Sequence, residues 1–254
     1  MGNTAENQEN QSGEGLWHMI VTKAMAMPIV SVNREAFLYN TLMPYVRSQE
    51  TLQKAIEGNL TDYISKEVID EAAKACIKCR ITYVTGLSFA TGLPGGPAVL
   101  ATIPADMVQF YANVFKVVQQ VAYLYGYPSF KNDRNAMNPD MEYMLTIFVG
   151  GMMCVNEANA IIKRLTPQIA QSMANKMAKT TLTKTALYPV VKQIARQLGF
   201  NITKSTFSKS VSKAIPLLGG IISSSLSYYM FNQMSKRLLT LLNQQYTLSH
   251  NQKE

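Results

Sequence analysis

The chain has 254 residues with 24 Lys/Arg, 16 Asp/Glu and a formal net charge of +8, and 47% of its residues are hydrophobic while 16% are charged. This charged fraction lies below the roughly 25% of ordinary soluble domains, so the chain is apolar for a soluble protein and too polar for a polytopic membrane protein. Three cysteines, an odd number without framework spacing, exclude a disulfide scaffold and are typical of a reducing, cytosolic compartment.

The first residues differ in composition from the rest. Residues 1–15 are rich in Asn, Gln, Glu and Gly and have no basic side chain, so we expect a disordered polar tail. Residues 16–254 are predicted to form a single helical domain with its core at about 65–242. Leu16 to Val32 carries Trp17 and several Met and Ile residues. It is either an interfacial membrane segment or, as we favour, a strap that packs on the body of the domain.

Three helices are predicted next, over Glu35–Met43, Gln49–Glu57 and Ser65–Leu93. The third is polar at first and becomes apolar after Ile81. From there to Ala105 the chain carries no charged residue but contains several Gly and Pro residues. Proline removes an amide donor and disfavours helix before it, so neither arm reaches the roughly 20 apolar residues of a straight membrane span. We therefore predict an apolar helical hairpin.

Within this hairpin, the loop Gly92–Pro97 should be a tight connection between two adjacent helices, because most of its residues are Gly or Pro. The following helix should open at Pro104 and close before Gly126. Its polar residues form one narrow stripe, and the wide apolar arc around the stripe predicts a central helix. The stripe consists of Asp106, Gln109, Asn113, Lys116 and Gln120.

Three members of that stripe, Asp106, Asn113 and Lys116, are candidate ligand-binding residues that could contact a headgroup. A structural interpretation is available for Asp106, because an acid near a helix N-terminus is stabilised by the helix dipole.

Another helix should start near Asn138, and its Gly150 and Gly151 predict a close helix crossing. Pro167–Leu198 is a basic helical region that we expect to be interrupted at Pro189. Residues 214–235 form a second uncharged run, with the same Gly/Pro pattern as the first hairpin. Strand-like alternation is missing from the sequence, so the predicted fold is all-α.

The charge is divided unevenly along the chain. Residues 1–157 carry 11 Lys/Arg and 15 Asp/Glu, a net charge of −4, whereas residues 158–254 carry 13 Lys/Arg and one acid, a net charge of +12. Such halves indicate either internal pairing or a basic surface for an anionic partner. The basic residues are single or paired and lack interleaved stacking aromatics, so we expect an anionic membrane surface or lipid and no nucleic acid. The expected membrane-facing basic residues are Lys163, Arg164, Lys236 and Arg237.

Several motifs together resemble the EcsC-type family of bacterial proteins, over roughly residues 67–242. They are Gly92-Leu-Pro-Gly-Gly-Pro97, Ala101-Thr-Ile-Pro-Ala-Asp106, Phe110-Tyr-Ala-Asn113, Tyr123-Leu-Tyr-Gly-Tyr127 and Lys213-Ala-Ile-Pro-Leu-Leu-Gly-Gly-Ile-Ile222. The resemblance implies a helical, membrane-associated protein without an established activity, and an ABC transporter as a possible partner. It supplies no catalytic residue.

The sequence contains few residues in the arrangements that catalysis or cofactor binding requires. Cys76 and Cys79 form a C-x-x-C pair in a predicted mid-helix position, and the two histidines stand near opposite ends of the chain, which disfavours zinc and redox chemistry. Glu142 and Glu157, placed in one helix, would lie about 22 Å apart, too far to share a proton. Phosphate-binding glycine motifs and a nucleophile elbow are missing. We expect no metal, no cofactor and no catalytic residue.

The sequence thus predicts a single multi-helix all-α domain with two Gly/Pro-broken apolar helical hairpins. The expected function is that of a non-catalytic, membrane-associated protein, lipid-interacting or accessory to a transport or envelope process. We expect it on the cytoplasmic side of the cell membrane, peripheral or partly inserted. One alternative is a soluble, cytoplasmic helical carrier of a lipid or other apolar ligand, and a weaker one is an enzyme that acts on such a ligand through Asp106.

Overall fold

The computed structural model describes residues 17–90, 105–130, 139–175, 184–198 and 224–251. Regular secondary structure in these ranges is helical throughout, and the helices form one compact arrangement, which confirms the all-α fold class. Helix α1 covers residues 17–25, and a 3-10 turn follows at Pro28–Val30. The further helices are α2 (Arg34–Leu42), α3 (Gln49–Glu57), α4 (Leu60–Tyr63), α5 (Lys66–Ala90), α6 (Ala105–Leu124), α7 (Pro139–Met152), α8 (Asn156–Ile162), α9 (Pro167–Asn175), α10 (Lys184–Gln197) and α11 (Ser224–Asn251).

Side-chain caps explain where the early helices begin. The Asn33 side chain accepts a hydrogen bond from the Ala36 amide at 2.8 Å, and the Ser48 hydroxyl accepts one from the Thr51 amide at 3.2 Å. Each cap satisfies an amide that has no partner within its helix. Helices α2 and α3 therefore start within one residue of the predicted positions.

Helix α6 is central, as its wide apolar arc predicts. Trp17 of α1 packs edge-on against Tyr111 and Phe115 of α6, with ring centres 5.3 and 6.1 Å apart. The buried Gln119 amide donates hydrogen bonds to the carbonyls of Val30 and Phe115. The N-terminal segment is thus a strap on the body of the protein, and the interfacial membrane alternative does not hold for Trp17.

Gly150 and Gly151 lie at a close helix crossing, as predicted. A Cβ atom on Gly150 would stand 2.7 Å from Val190 Cγ1 of α10 and 2.8 Å from Ala158 Cβ of α8. A Cβ atom on Gly151 would stand 2.5 Å from Ile162 Cδ1. These separations are far below van der Waals contact, so the crossing requires residues without a side chain.

Two predictions about the later helices are wrong. Pro189 lies inside α10 and does not interrupt it. Little more than one helical turn precedes this proline, so the lost hydrogen bond and the steric clash affect a single turn. The helix that was expected to carry both Glu142 and Glu157 ends at Met152, and the chain reverses through Cys154, whose φ is 61°, before α8 begins.

Several predictions concern residues outside the described ranges. They are the disordered tail over residues 1–15, the tight loop Gly92–Pro97 and the Gly/Pro-rich part of the second uncharged run, residues 214–223.

Candidate functional site

One polar contact joins the three longest helices near one end of the bundle. The Tyr125 hydroxyl, just after α6, donates a 2.5 Å hydrogen bond to Asp70 of α5, and Asn243 of α11 hydrogen-bonds the same carboxylate. From this contact α5 runs forward to Ala90, and α6 runs back to Ala105. At the helical rise per residue, both ends lie about 30 Å from the contact. The two helices also pack along each other, and the charge of Arg80 acts on Lys116, ten and nine residues from the contact, so α5 and α6 are antiparallel and end together.

The N-terminal end of α11 lies at this same end of the bundle. It runs back from Asn243 to Ser224, and the Phe231 ring lies 6.1 Å from the Phe110 ring of α6. Its helical rise over this stretch also amounts to about 30 Å. The described parts of the two uncharged runs, residues 81–90 and 224–235, therefore lie toward the same end of the bundle.

Three tyrosines are exposed at this end. Tyr83 on α5 is 44% exposed, and Tyr228 and Tyr229 on α11 are 44% and 59% exposed. We call this region the tyrosine end. Tyrosine carries an apolar ring with a polar tip, which suits it to the boundary between an apolar phase and water.

Two cations on facing helices lie about one helical turn from the tyrosine end, toward the middle of the bundle. Arg80 stands ten residues after Asp70 on α5, and Lys116 stands nine residues before Tyr125 on α6, so antiparallel packing brings them to the same level. Both side chains are partly buried. Burial lowers the pKa of Lys116, and the positive charge of Arg80 lowers it further.

Arg80 is held in place by an aromatic ring rather than by an acid. Its guanidinium carbon lies 5.0 Å from the centre of the Tyr83 ring, and its Nε is buried without a hydrogen-bond partner. The ion pairs formed by described residues are His18–Glu142, Lys54–Glu50 and Lys66–Asp70, and these include neither Arg80 nor Lys116. The two like charges are therefore uncompensated by a described carboxylate.

The three predicted ligand-binding residues have different surroundings. Lys116 is one of the two cations just described. Asn113 is 2% exposed; its amide nitrogen donates to the Gln109 carbonyl at 2.9 Å, and its Oδ1 has no partner. Asp106 stands in the first turn of α6, but its side chain lies outside the described residues. It is ten residues, about 15 Å along the helix, from Lys116.

The predicted membrane-facing cations are all exposed. Lys163 and Arg164 follow α8, whereas Lys236 and Arg237 lie in the middle of α11. Helices α8 and α11 contact each other beside Gly151 of α7. Arg237 also donates a hydrogen bond to the Met152 carbonyl at 3.3 Å, so one of the four side chains has a structural contact.

The structure also bears on internal pairing between the acidic and basic parts of the chain. Six basic side chains after residue 158 are described, and none of the ion pairs formed by described residues includes them. Five of the six are exposed and Lys192 is half-buried. The six are Lys163, Arg164, Lys192, Arg196, Lys236 and Arg237. Their positive charge is therefore not neutralised by a described acid.

The other reactive groups considered from the sequence are the partly buried thiol of Cys76 and the carboxylates of Glu142 and Glu157. Burial raises the pKa of the Cys76 thiol to about 11, which keeps it protonated and a weak nucleophile. Glu142 contacts His18, and Glu157 accepts a hydrogen bond from Gln193, so the two acids are engaged separately. In the described part of the chain, no group of three His, Cys, Asp or Glu residues could hold a metal ion.

Among the described residues, no helix combines the length and the hydropathy that a membrane crossing requires.

Compared with known proteins, the chain matches no protein-family model, and no curated protein or solved structure is significantly similar to it. The resemblance to EcsC-type proteins therefore stays a prediction.

Sequence patterns missed two features of this site. Arg80 lies in the polar first part of the helix predicted over Ser65–Leu93, and its level opposite Lys116 depends on how α5 and α6 are aligned. The exposed tyrosines carried a usable signal, because Tyr83 and the pair Tyr228 and Tyr229 lie inside the two uncharged runs. Aromatic residues with polar tips in such runs are typical of an interface.

Proposed function

We propose that the protein is a non-catalytic, membrane-associated helical protein that docks its tyrosine end on an anionic membrane surface. The observation that carries the proposal is that the described parts of both uncharged runs, residues 81–90 and 224–235, lie at the end that exposes Tyr83, Tyr228 and Tyr229. The EcsC-type resemblance agrees with this interpretation, and it adds a transport or envelope process and an ABC transporter as a proposed context.

Two physical terms support docking at this end. The exposed rings of Tyr83, Tyr228 and Tyr229 offer apolar area to a bilayer, which favours insertion by about 25 cal/mol per Å² buried. Basic side chains add roughly 1 kcal/mol each near anionic lipid. Arg80 lies three residues, about 5 Å along the helix, from Tyr83. That distance is within the Debye length of about 8 Å at physiological salt, so its charge would act at the surface.

Liposome flotation tests the proposal. The full chain is mixed with phosphatidylcholine vesicles that either contain or lack phosphatidylglycerol, at low and at high salt. We expect flotation with the anionic vesicles, weaker flotation at high salt, and poor flotation with neutral vesicles.

A matched pair of variants locates the docking surface. Replacing Tyr83, Tyr228 and Tyr229 together by Ser should abolish most of the flotation. The control replaces Tyr63 and Leu248 by Ser; these side chains are 49% and 47% exposed but lie toward the opposite end of the bundle. The control should float like the wild type.

Two results would overturn the proposal. In one, the wild-type protein stays at the bottom of the gradient with every lipid composition. The carrier function would then take its place, and native mass spectrometry should show a copurified lipid. In the other, the two sets of variants lose flotation equally, which would remove the tyrosine end as the docking surface.

A further inference from the structure

We infer that Arg80 and Lys116 form a binding site for a phosphate-type oxyanion, in the surface between α5 and α6 beside Tyr83. If the phosphate belongs to a lipid headgroup, the inference rests on the proposed function and names its ligand; if it is a free phosphate, the site stands independently of that function.

The first argument is the uncompensated charge. Two cations on facing helices stand at the same level, and neither forms an ion pair with a described carboxylate. Like charges that are partly removed from water repel each other more strongly than they would in bulk solvent. A dianion or monoanion between them converts this repulsion into two attractive contacts.

The second argument is the unused hydrogen-bonding capacity. Arg80 Nε is buried without a partner, and Oδ1 of Asn113, one helical turn from Lys116, also lacks a partner while its residue is only 2% exposed. Other described residues also have a buried polar atom without a partner, namely Tyr143, Asn159, Ser235 and Gln245. Arg80 and Asn113, however, stand on facing helices at the pair of cations. Because buried polar groups in proteins are normally satisfied, a ligand that paired with these two would be stabilised. A phosphate ester supplies acceptor oxygens for Arg80, and a hydroxyl of a polyol headgroup would supply a donor for Asn113.

The third argument is the orientation of Arg80. Its guanidinium lies over the Tyr83 ring at 5.0 Å from the ring centre, a geometry that holds the planar group in a fixed direction. A planar guanidinium offers two parallel donors to one oxyanion, whereas the flexible ammonium of Lys116 acts as a point charge. Together they suit a tetrahedral anion better than an extended carboxylate-bearing chain.

A charge-matched pair of double variants tests the site. Arg80→Gln with Lys116→Gln removes the two proposed ligands. Lys74→Gln with Lys78→Gln removes the same charge from α5, at exposed positions that point away from Arg80. Circular dichroism checks that both variants stay folded. Arg80→Lys with Lys116→Arg keeps the charge and alters only the geometry, so it should bind more weakly than the wild type and more tightly than the Gln variant.

Two probes distinguish the two sources of phosphate. The first is inorganic phosphate, measured by calorimetric titration. The second is vesicles of phosphatidylcholine with and without phosphatidylglycerol, measured by flotation. The Arg80/Lys116 variant should weaken binding of at least one probe about tenfold, because a charge-assisted hydrogen bond contributes about that factor or more. The Lys74/Lys78 control should change binding of either probe by no more than about twofold.

Each result decides the inference. A selective loss with vesicles supports a lipid phosphate, and a selective loss with inorganic phosphate alone supports a free phosphate site. If only binding of inorganic phosphate is lost and the wild-type protein never floats, the proposed function is wrong and the inference of a phosphate site stands. If the wild type floats and both double variants lose flotation equally, the inference is wrong while the proposed function stands. If the wild type binds neither probe, both are wrong.

Discussion

The two ends of the three-helix core formed by α5, α6 and α11 differ in how their partly buried charged groups are paired. At the end opposite the tyrosines, Lys66 donates to Asp70 at 2.6 Å and Tyr125 donates to the same carboxylate. Burial opposes ionisation of Asp70, but these hydrogen bonds outweigh it and hold the pKa of Asp70 below its usual value. We call this the closed end.

Arg34 completes the closed end. Its Nε donates to the Tyr127 carbonyl and its Nη1 donates to the Ile56 carbonyl, each at 3.0 Å. At the tyrosine end, by contrast, Arg80 and Lys116 find no acid among the described residues, and three aromatic rings face solvent. The difference separates an end whose charged groups have hydrogen-bond partners within the fold from an end whose two cations have no described acid. Substitutions at the closed end should therefore affect stability, and those at the tyrosine end should affect membrane binding.

The largest effect should come from the helix crossing at Gly150 and Gly151, which contacts α11 at Leu241, near the closed end. Changing both Gly150 and Gly151 to Leu should lower the free energy of unfolding by several kcal/mol, about 1 to 3 kcal/mol for each overpacked site. The Cβ of a residue at 150 would meet Ala158 Cβ at 2.8 Å, and a helix backbone must move to relieve that contact. Urea unfolding measures the change.

The control for the crossing is Ala75→Leu, an added side chain at an exposed position of α5. It should change the free energy of unfolding by less than about 0.5 kcal/mol. An unchanged urea midpoint in the double glycine variant would show that the crossing can relax, contrary to the close packing around both glycines.

A smaller effect is expected at the closed end. Arg34→Met removes both hydrogen bonds and leaves the carbonyls of Ile56 and Tyr127 without this donor, which should cost about 2 kcal/mol. Arg47→Met, at an exposed arginine, should cost almost nothing. Urea midpoints measure both, and flotation of the folded fraction should stay at the wild-type level. A selective loss of flotation in Arg34→Met would place membrane contact at the closed end instead.

The sequence predicted the helices better than it predicted their alignment. Caps at Asn33 and Ser48 act locally, so the starts of α2 and α3 could be read from neighbouring residues. The pair Gly150 and Gly151 also carried a local signal of close packing. The predicted interruption at Pro189 was wrong because the effect of a proline depends on how much helix precedes it. That length is set by the packing of α10 against α7.

The candidate site depends on contacts that are distant in sequence. Lys116 was marked by its place in the polar stripe of α6, which needs only helical periodicity. Its neighbour Arg80 was not, because the Asp70–Tyr125 hydrogen bond that sets the alignment of α5 and α6 joins residues 55 positions apart. A single sequence holds no local signal for such a pairing.

The smallest effect should come from the four predicted membrane-facing cations, which lie away from the tyrosine end. Changing Lys163, Arg164, Lys236 and Arg237 to Gln should reduce flotation with anionic vesicles only partly. Lys236 lies eight residues, about 12 Å along α11, from Tyr228, which is beyond the Debye length of about 8 Å at physiological salt. Each of the four side chains should therefore contribute less than the roughly 1 kcal/mol of a cation at the headgroups.

The same quadruple variant separates membrane attraction from internal pairing. Lowering the salt lengthens the Debye length, so its deficit in flotation should grow at low ionic strength. Helical content should not change, and the free energy of unfolding should fall by no more than about 1 kcal/mol, which the Arg237 hydrogen bond to Met152 accounts for. A larger loss of stability without a selective loss of flotation would mean that these cations pair within the chain. The charge difference between the two parts of the sequence would then serve folding rather than docking.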